Sequence, residues 1–162
     1  MTKFWAAEDA QEILDNLLET CDEFDHLRGL SIKALFRDKH TKSGGKIISG
    51  KCVKQPDLQR LLHGIDFIVM LANDIWIHLE DKQKNALVYH ELCHATTEVD
   101  TETGEVTPST VGHDCETFYA ELQKFGAWHP DLDKLVNTVK QLDLFKDQNV
   151  TQLRKPGKAE NE

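Results

Sequence analysis

Tyr89-His90-Glu91-Leu92-Cys93-His94 sets two imidazoles four residues apart with a carboxylate directly after the first. In a helix, residues i and i+4 project from one face, so His90 and His94 can offer ring nitrogens to a single ion while Glu91 reaches a water beside it. The pattern supplies two ligands for zinc and one general base. Its meaning depends on the segment being helical, and the flanks support that. No Gly or Pro occurs from Leu79 to Thr97, and Asp81-Lys82-Gln83-Lys84 makes a polar opening turn, so a helix is expected to begin between Leu79 and Lys82. Ala86, Leu87, Cys93 and Thr97 share a face with the two histidines, whereas Val88, Leu92 and Ala95 fall on another. Apolar residues on more than one face predict a central, buried helix, in which histidines and a glutamate need a cation to offset desolvation.

A catalytic zinc takes three protein ligands and keeps its fourth position for water. His113 is the leading candidate for the third. It follows a polar stretch, Glu98 to Gly112, whose Thr-Glu-Thr-Gly and Thr-Pro-Ser segments have the composition of turns, and Gly112 permits a close backbone approach. Past His113, Cys115, Phe118, Tyr119, Leu122 and Phe125 form a helical stripe that Gly126 can terminate, which predicts a helix packing its apolar face on the core. Glu116, Glu121 and Asp114 compete for the same position, and any of them would give a site of two histidines and one carboxylate.

These residues carry a resemblance. His-Glu-Leu-Cys-His, a variable loop, and then Gly112-His113-Asp114-Cys115-Glu116-Thr117-Phe118 resemble the zincin-type metallopeptidases encoded by phages and prophages, and more distantly the SprT-like proteases. In both groups a third histidine, followed a few residues later by an aromatic, completes the site. The similarity extends upstream through Asp66 to Leu71 and Trp76, covering about residues 28 to 128. It implies a zincin-like fold, one zinc per chain on His90, His94 and His113, and hydrolysis of peptide or amide bonds by a metal-activated water with Glu91 as general base.

Length and composition fit that scale. With 162 residues, 40% hydrophobic and 29% charged, the chain can bury one core, and no composition break divides it. One domain is expected over residues 1–145, followed by a flexible tail over 146–162, where the apolar pattern stops. No run approaches a membrane span and the start lacks the apolar stretch of an export signal, so a cytoplasmic protein is expected, in the host cytoplasm if phage-encoded. Cys21, Cys52, Cys93 and Cys115 have irregular spacing and are expected to be reduced. Cys93 and Cys115 flank the proposed site; buried thiols are the expectation, with a ligand role as the alternative.

The remaining pattern is α+β. Residues 3 to about 25 have helical periodicity, and three strand-like runs follow at Ser31–Asp38, Lys46–Lys54 and Asp66–Ala72. The first two are expected to pair as a hairpin across residues 40–45, and Phe67-Ile68-Val69-Met70-Leu71 to lie buried on both faces. Pro130 starts a closing helix that runs to about Leu144. The expected architecture is thus a small sheet of about three strands, an N-terminal helix, the central motif helix and two C-terminal helices.

The formal net charge of -9 argues against nonspecific nucleic-acid affinity. Yet Lys33, Arg37, Lys39, Lys42, Lys46, Lys51 and Lys54 against Asp38 give segment 31–54 a balance of +6, leaving -15 for the rest. The segment is expected to act as a solvated edge that discourages aggregation, or else as a contact for nucleic acid or an acidic partner. The latter belongs to a second functional expectation, a zinc-stabilised binding protein without catalysis, for instance a host-takeover or nucleic-acid-associated factor. The five other histidines, at 26, 40, 63, 78 and 129, lack ligand spacing. Tyr89 and Tyr119 are core aromatics in the first instance and oxyanion donors in the second.

Overall fold

A computed structural model describes residues 1–152, with side chains to residue 142. Its packing divides into two compact units, Met1–Gly112 and His113 onward.

The first unit opens with a strand, β1 (Phe4–Ala6), followed by helix α1 (Glu8–Thr20) and a 3-10 helix (Asp22–Leu27). The single amphipathic helix expected over residues 3 to 25 is therefore three elements. Phe4 and Trp5 pair antiparallel with Arg37 and Phe36 of β2 (Ile32–Arg37), so their spacing from Ile13 and Leu17 is a coincidence of phase. A hairpin follows, β3 (Thr41–Ser43) and β4 (Lys46–Ile48), turning on Gly44 and Gly45, both at positive φ. Then come β5 (Gly50–Lys54), a short helix α2 (Asp57–His63), β6 (Phe67–Ala72), the turn α3 (Asn73–Trp76) and helix α4 (Asp81–Cys93). A second hairpin, β7 (Ala95–Val99) and β8 (Val106–Thr110), closes the unit.

The principal sheet has the order β1-β2-β6-β5. β2 and β6 run parallel, whereas β5 runs antiparallel to β6. The hairpin expected between residues 31–38 and 46–54 does not form, because β6 lies between them. Its continuously apolar sequence suits the central position, shielded by a strand on each side. On one face Ile32, Ala34 and Phe36 of β2 and Phe67, Val69 and Leu71 of β6 meet Ala10 and Leu14 of α1 and Val88 and Leu92 of α4 in one core cluster. β1 is too short to cover all of β2, and Gln11 fills the gap. Its Oε1 accepts from Ala34 N at 2.8 Å and its Nε2 donates to Ile32 O at 3.2 Å. Trp76, buried beside Phe36, donates from Nε1 to Asp9 Oδ2 at 2.8 Å and so fixes α3 to the start of α1.

The base of the β3–β4 hairpin is held by Asp74, which accepts from His40 N at 2.9 Å and contacts His40 Nδ1 at 2.9 Å. Desolvation pushes the Asp74 carboxyl up, but the His40 hydrogen bonds and charge outweigh it, and the group ends below its ordinary value. A carboxyl depressed in the folded state takes up protons less readily than in the unfolded chain. Its contribution is therefore present above the ordinary carboxylate range and lost as pH falls through the folded value. Asp74→Asn should lower the melting temperature at pH 7, with the gap to the unaltered protein closing towards about pH 3. A gap of the same size at both ends of a scanning-fluorimetry pH series would show that the pair adds nothing.

The second unit, taken by itself, contains α5 (Tyr119–Phe125), ended by Gly126, and α6 (Pro130–Gln152) with Pro130 at its first position. Two helices here match the sequence pattern. The first is shorter than expected: residues 114–118 are not helical, and Phe118, Tyr119 and Phe125 are exposed. α6 continues past residue 145, and residues 153–162 of the expected tail lie outside the described residues. Among the described residues, no helix is long and apolar enough to cross a membrane.

Candidate metal centre

α4 begins where its sequence signals it should. Glu80 is the N-cap, and its backbone N–H donates to Gln83 Oε1 at 2.9 Å, one half of a capping box. The helix is not surrounded by apolar contacts, however. Val88, Glu91 and Leu92 are buried, while His90 is exposed and His94 half-buried. One face covers the sheet and the histidine face stays open to solvent, so the expectation of burial on several faces is corrected.

The helix also ends earlier than Thr97. Cys93 is its last residue, His94 caps it, and β7 starts at Ala95. The β-branched run Thr96-Thr97 and Val99 favours strand over helix. Residues 98–112, expected as a loop, are mostly the β7–β8 hairpin. Its register pairs Ala95 with Thr110. One step beyond, Val111 N donates to His94 O at 3.0 Å and His94 Nδ1 lies 2.8 Å from Val111 O. A carbonyl can only accept, so Nδ1 carries the proton and the lone pair is on Nε2, the tautomer a metal ligand needs. The chain is thereby pinned to His94 two residues before His113. Consecutive Cα atoms are about 3.8 Å apart, so the third histidine is within reach of the second by connectivity.

His90, His94 and His113 each bring one ring nitrogen to within 4.8 Å of the others. Nitrogens sharing a zinc at bonds of about 2.0–2.1 Å stand no more than about 4.2 Å apart, so small rotations of the exposed His90 and His113 rings towards His94 would close the set. Three imidazoles fit a borderline-soft divalent ion, and the donor set passes as a metal site. His113 Nδ1 is 3.2 Å from Glu116 Oε1, an arrangement that orients the ring and again directs Nε2 outward. Glu116 thus stands beside a histidine and outside the group. Glu121 accepts from Trp128 Nε1 at 2.7 Å and from Thr117 Oγ1 at 3.2 Å. Among the described residues, neither carboxylate, nor Asp114, nor any cysteine joins a metal-capable group.

Glu91, 4% exposed, is turned towards β5. A Cβ built on Gly50 would stand 2.5 Å from Glu91 Oε1 and 2.9 Å from both Cδ and Cγ. Cys52 shares the Gly50 face of the strand, and burial first, then the Glu91 charge, push its thiol up to about 12. It stays a neutral thiol beside the carboxylate. Gly50 and Cys52 were not singled out by the sequence pattern, although a glycine inside a strand run is itself a sign of close approach. The glycine expected to serve that purpose, Gly112, has nothing within 4 Å of such a Cβ.

Other candidates lie elsewhere. Tyr89 donates its hydroxyl to Glu23 Oε1 at 2.7 Å, and that bond, ahead of burial, pushes the phenol up to about 12. Its hydroxyl is engaged with the 3-10 helix. Tyr119 is exposed. Cys93 is exposed and Cys115 half-buried, so neither is the buried thiol expected. The basic residues of segment 31–54 are distributed over β2, the exposed β3–β4 hairpin and β5 in place of one continuous hairpin.

No curated protein and no solved structure matches the chain. A family model described as "Putative phage metallopeptidase" matches residues 2–140. That span contains all three histidines, Glu91 and both hairpins, and the chain belongs to the family so described.

Proposed function

We propose that the protein is a single-zinc metallopeptidase that hydrolyses peptide or amide bonds. The observation that carries this is the convergence of three imidazole nitrogens, with a buried glutamate next in sequence to the first of them. His90, His94 and His113 would hold the ion, leaving a position open to solvent. The chemistry a bound zinc supplies is Lewis acidity, which acidifies a water and polarises an amide carbonyl. Glu91 accepts the proton as that water attacks and delivers it to the departing amine nitrogen, so one carboxylate serves as base and then as acid. The β5 wall excludes solvent from one side of Glu91 and limits its rotamers, which keeps the carboxylate pre-positioned. The zincin-like description of the fold is supported by the motif helix lying on a mixed sheet with Glu91 facing strand β5.

A purely structural zinc would be expected to have four protein ligands, commonly including cysteine. Among the described residues the metal-capable group has three histidines and no fourth member, which favours catalysis over the binding-protein alternative. Dialysis against a chelator should abolish cleavage of fluorescein-labelled casein or of a mixed peptide library, and about one equivalent of zinc per chain should restore it. Cleavage that survives complete removal of metal would overturn the proposal.

A further inference from the structure

We propose that Gly50 is a positioning residue for Glu91: the space left by its missing side chain on β5 is where the Glu91 carboxylate rests, directed at the reacting water. The inference rests on the hydrolase reading above but concerns a residue outside the metal motif. Gly50 is not needed for its backbone. Unlike Gly29, Gly44, Gly45, Gly64, Gly104 and Gly126, it has no positive φ, so any residue can adopt its conformation. What distinguishes it is room. Among the described glycines, it alone has atoms within 4 Å of a built Cβ, and all three of the nearest belong to Glu91.

The overlap cannot be relieved cheaply. Only Oε1 is the far end of the glutamate; Cδ and Cγ, both at 2.9 Å, are too close as well, so the side chain must swing from its root. Nor can the strand retreat. Gly50 is in register with Leu71, and Ala72 N donates to Ser49 O at 2.8 Å, which fixes β5 to the central strand at this point. A methyl group at position 50 therefore displaces the carboxylate while leaving His90, His94 and His113 on their own supports.

The test uses the full zinc-loaded chain and combines a stability cycle with kinetics. Gly50→Ala should lower the melting temperature by about 5 °C in the unaltered background. In a Glu91→Ala background, where all three crowded atoms are gone, it should change melting by no more than about 1 °C. With labelled casein as substrate, Gly50→Ala should reduce kcat by about a hundredfold, with zinc content and KM retained. Equal melting shifts in the two backgrounds, or an unchanged kcat, would overturn the inference. If the unaltered protein cleaves nothing yet the melting shifts remain coupled, the hydrolase reading falls while Gly50 is upheld as the residue that sets where Glu91 sits.

Discussion

Glu91→Gln is expected to slow amide cleavage by about a hundredfold to ten-thousandfold, the usual contribution of a general base, equivalent to about 3 to 5 kcal/mol of barrier. The amide keeps the size and shape of the carboxylate in its place against Gly50, so the fold should tolerate it. Zinc content should not change, because the metal-capable group consists of the three histidines and does not include Glu91. The fall should appear in kcat and kcat/KM alike, the signature of a group that acts in the transition state. A second readout does not require substrate. Removing the charge withdraws the electrostatic part of the Cys52 shift while burial maintains the larger part, so the thiol should titrate below about 12 yet above its ordinary value. Thiol-reactivity profiles against pH would show this. Cleavage at an undiminished rate by Glu91→Gln would remove Glu91 from the chemistry.

How much of this site the sequence discloses depends on whether the relevant contacts are local. The capping residues of α4, the four-residue spacing of His90 and His94, and the position of Glu91 are set within one helix, where periodicity is a direct guide. His113 can be nominated by residue type, but not placed. What brings it to the site is the β7–β8 hairpin, and the residues from Glu98 to Gly112 are too polar to show the apolar alternation of a half-buried strand. The usable signal there was subtler: Thr96, Thr97 and Val99 before the turn and Val106, Thr107 and Thr110 after it are β-branched, and Val99 pairs with Val106. Pro108 points to a turn by composition, yet it sits in an edge strand, where a missing N–H is tolerated.

The sheet shows the same division. β6 was recognisable from its apolar run, whereas its neighbours were not, because parallel pairing with β2 and antiparallel pairing with β5 join segments far apart in the chain. Phe4-Trp5-Ala6 is too short for any period to distinguish strand from helix. Gly50 was hidden for another reason: the group that demands its small size is forty-one residues away on α4, and no local pattern records that demand.

Loss of metal is the second large expected effect. His90→Ala and His94→Ala should each reduce zinc affinity by more than the 10- to 100-fold typical of losing an outer-shell partner, and the double variant should purify without zinc. Because ligand binding to the folded state alone stabilises it, the unaltered chain should melt higher with zinc than without, and the double variant should lose that rise. His113→Ala tests the third position. It should behave like the other single histidine variants, since its ring nitrogen completes the group within 4.8 Å. Glu116→Gln should have a smaller effect, about tenfold in affinity, because the carboxylate acts by orienting His113 through the 3.2 Å contact at Nδ1. Glu121→Gln should leave zinc affinity unchanged, its carboxylate being engaged by Trp128 and Thr117. Competition with a chromophoric chelator gives all five affinities on one scale. Were Glu116→Gln to match His90→Ala while His113→Ala kept its zinc, the site would be one of two histidines and a carboxylate, and the role of the β7–β8 hairpin in delivering the third ligand would pass from residue 113 to residue 116.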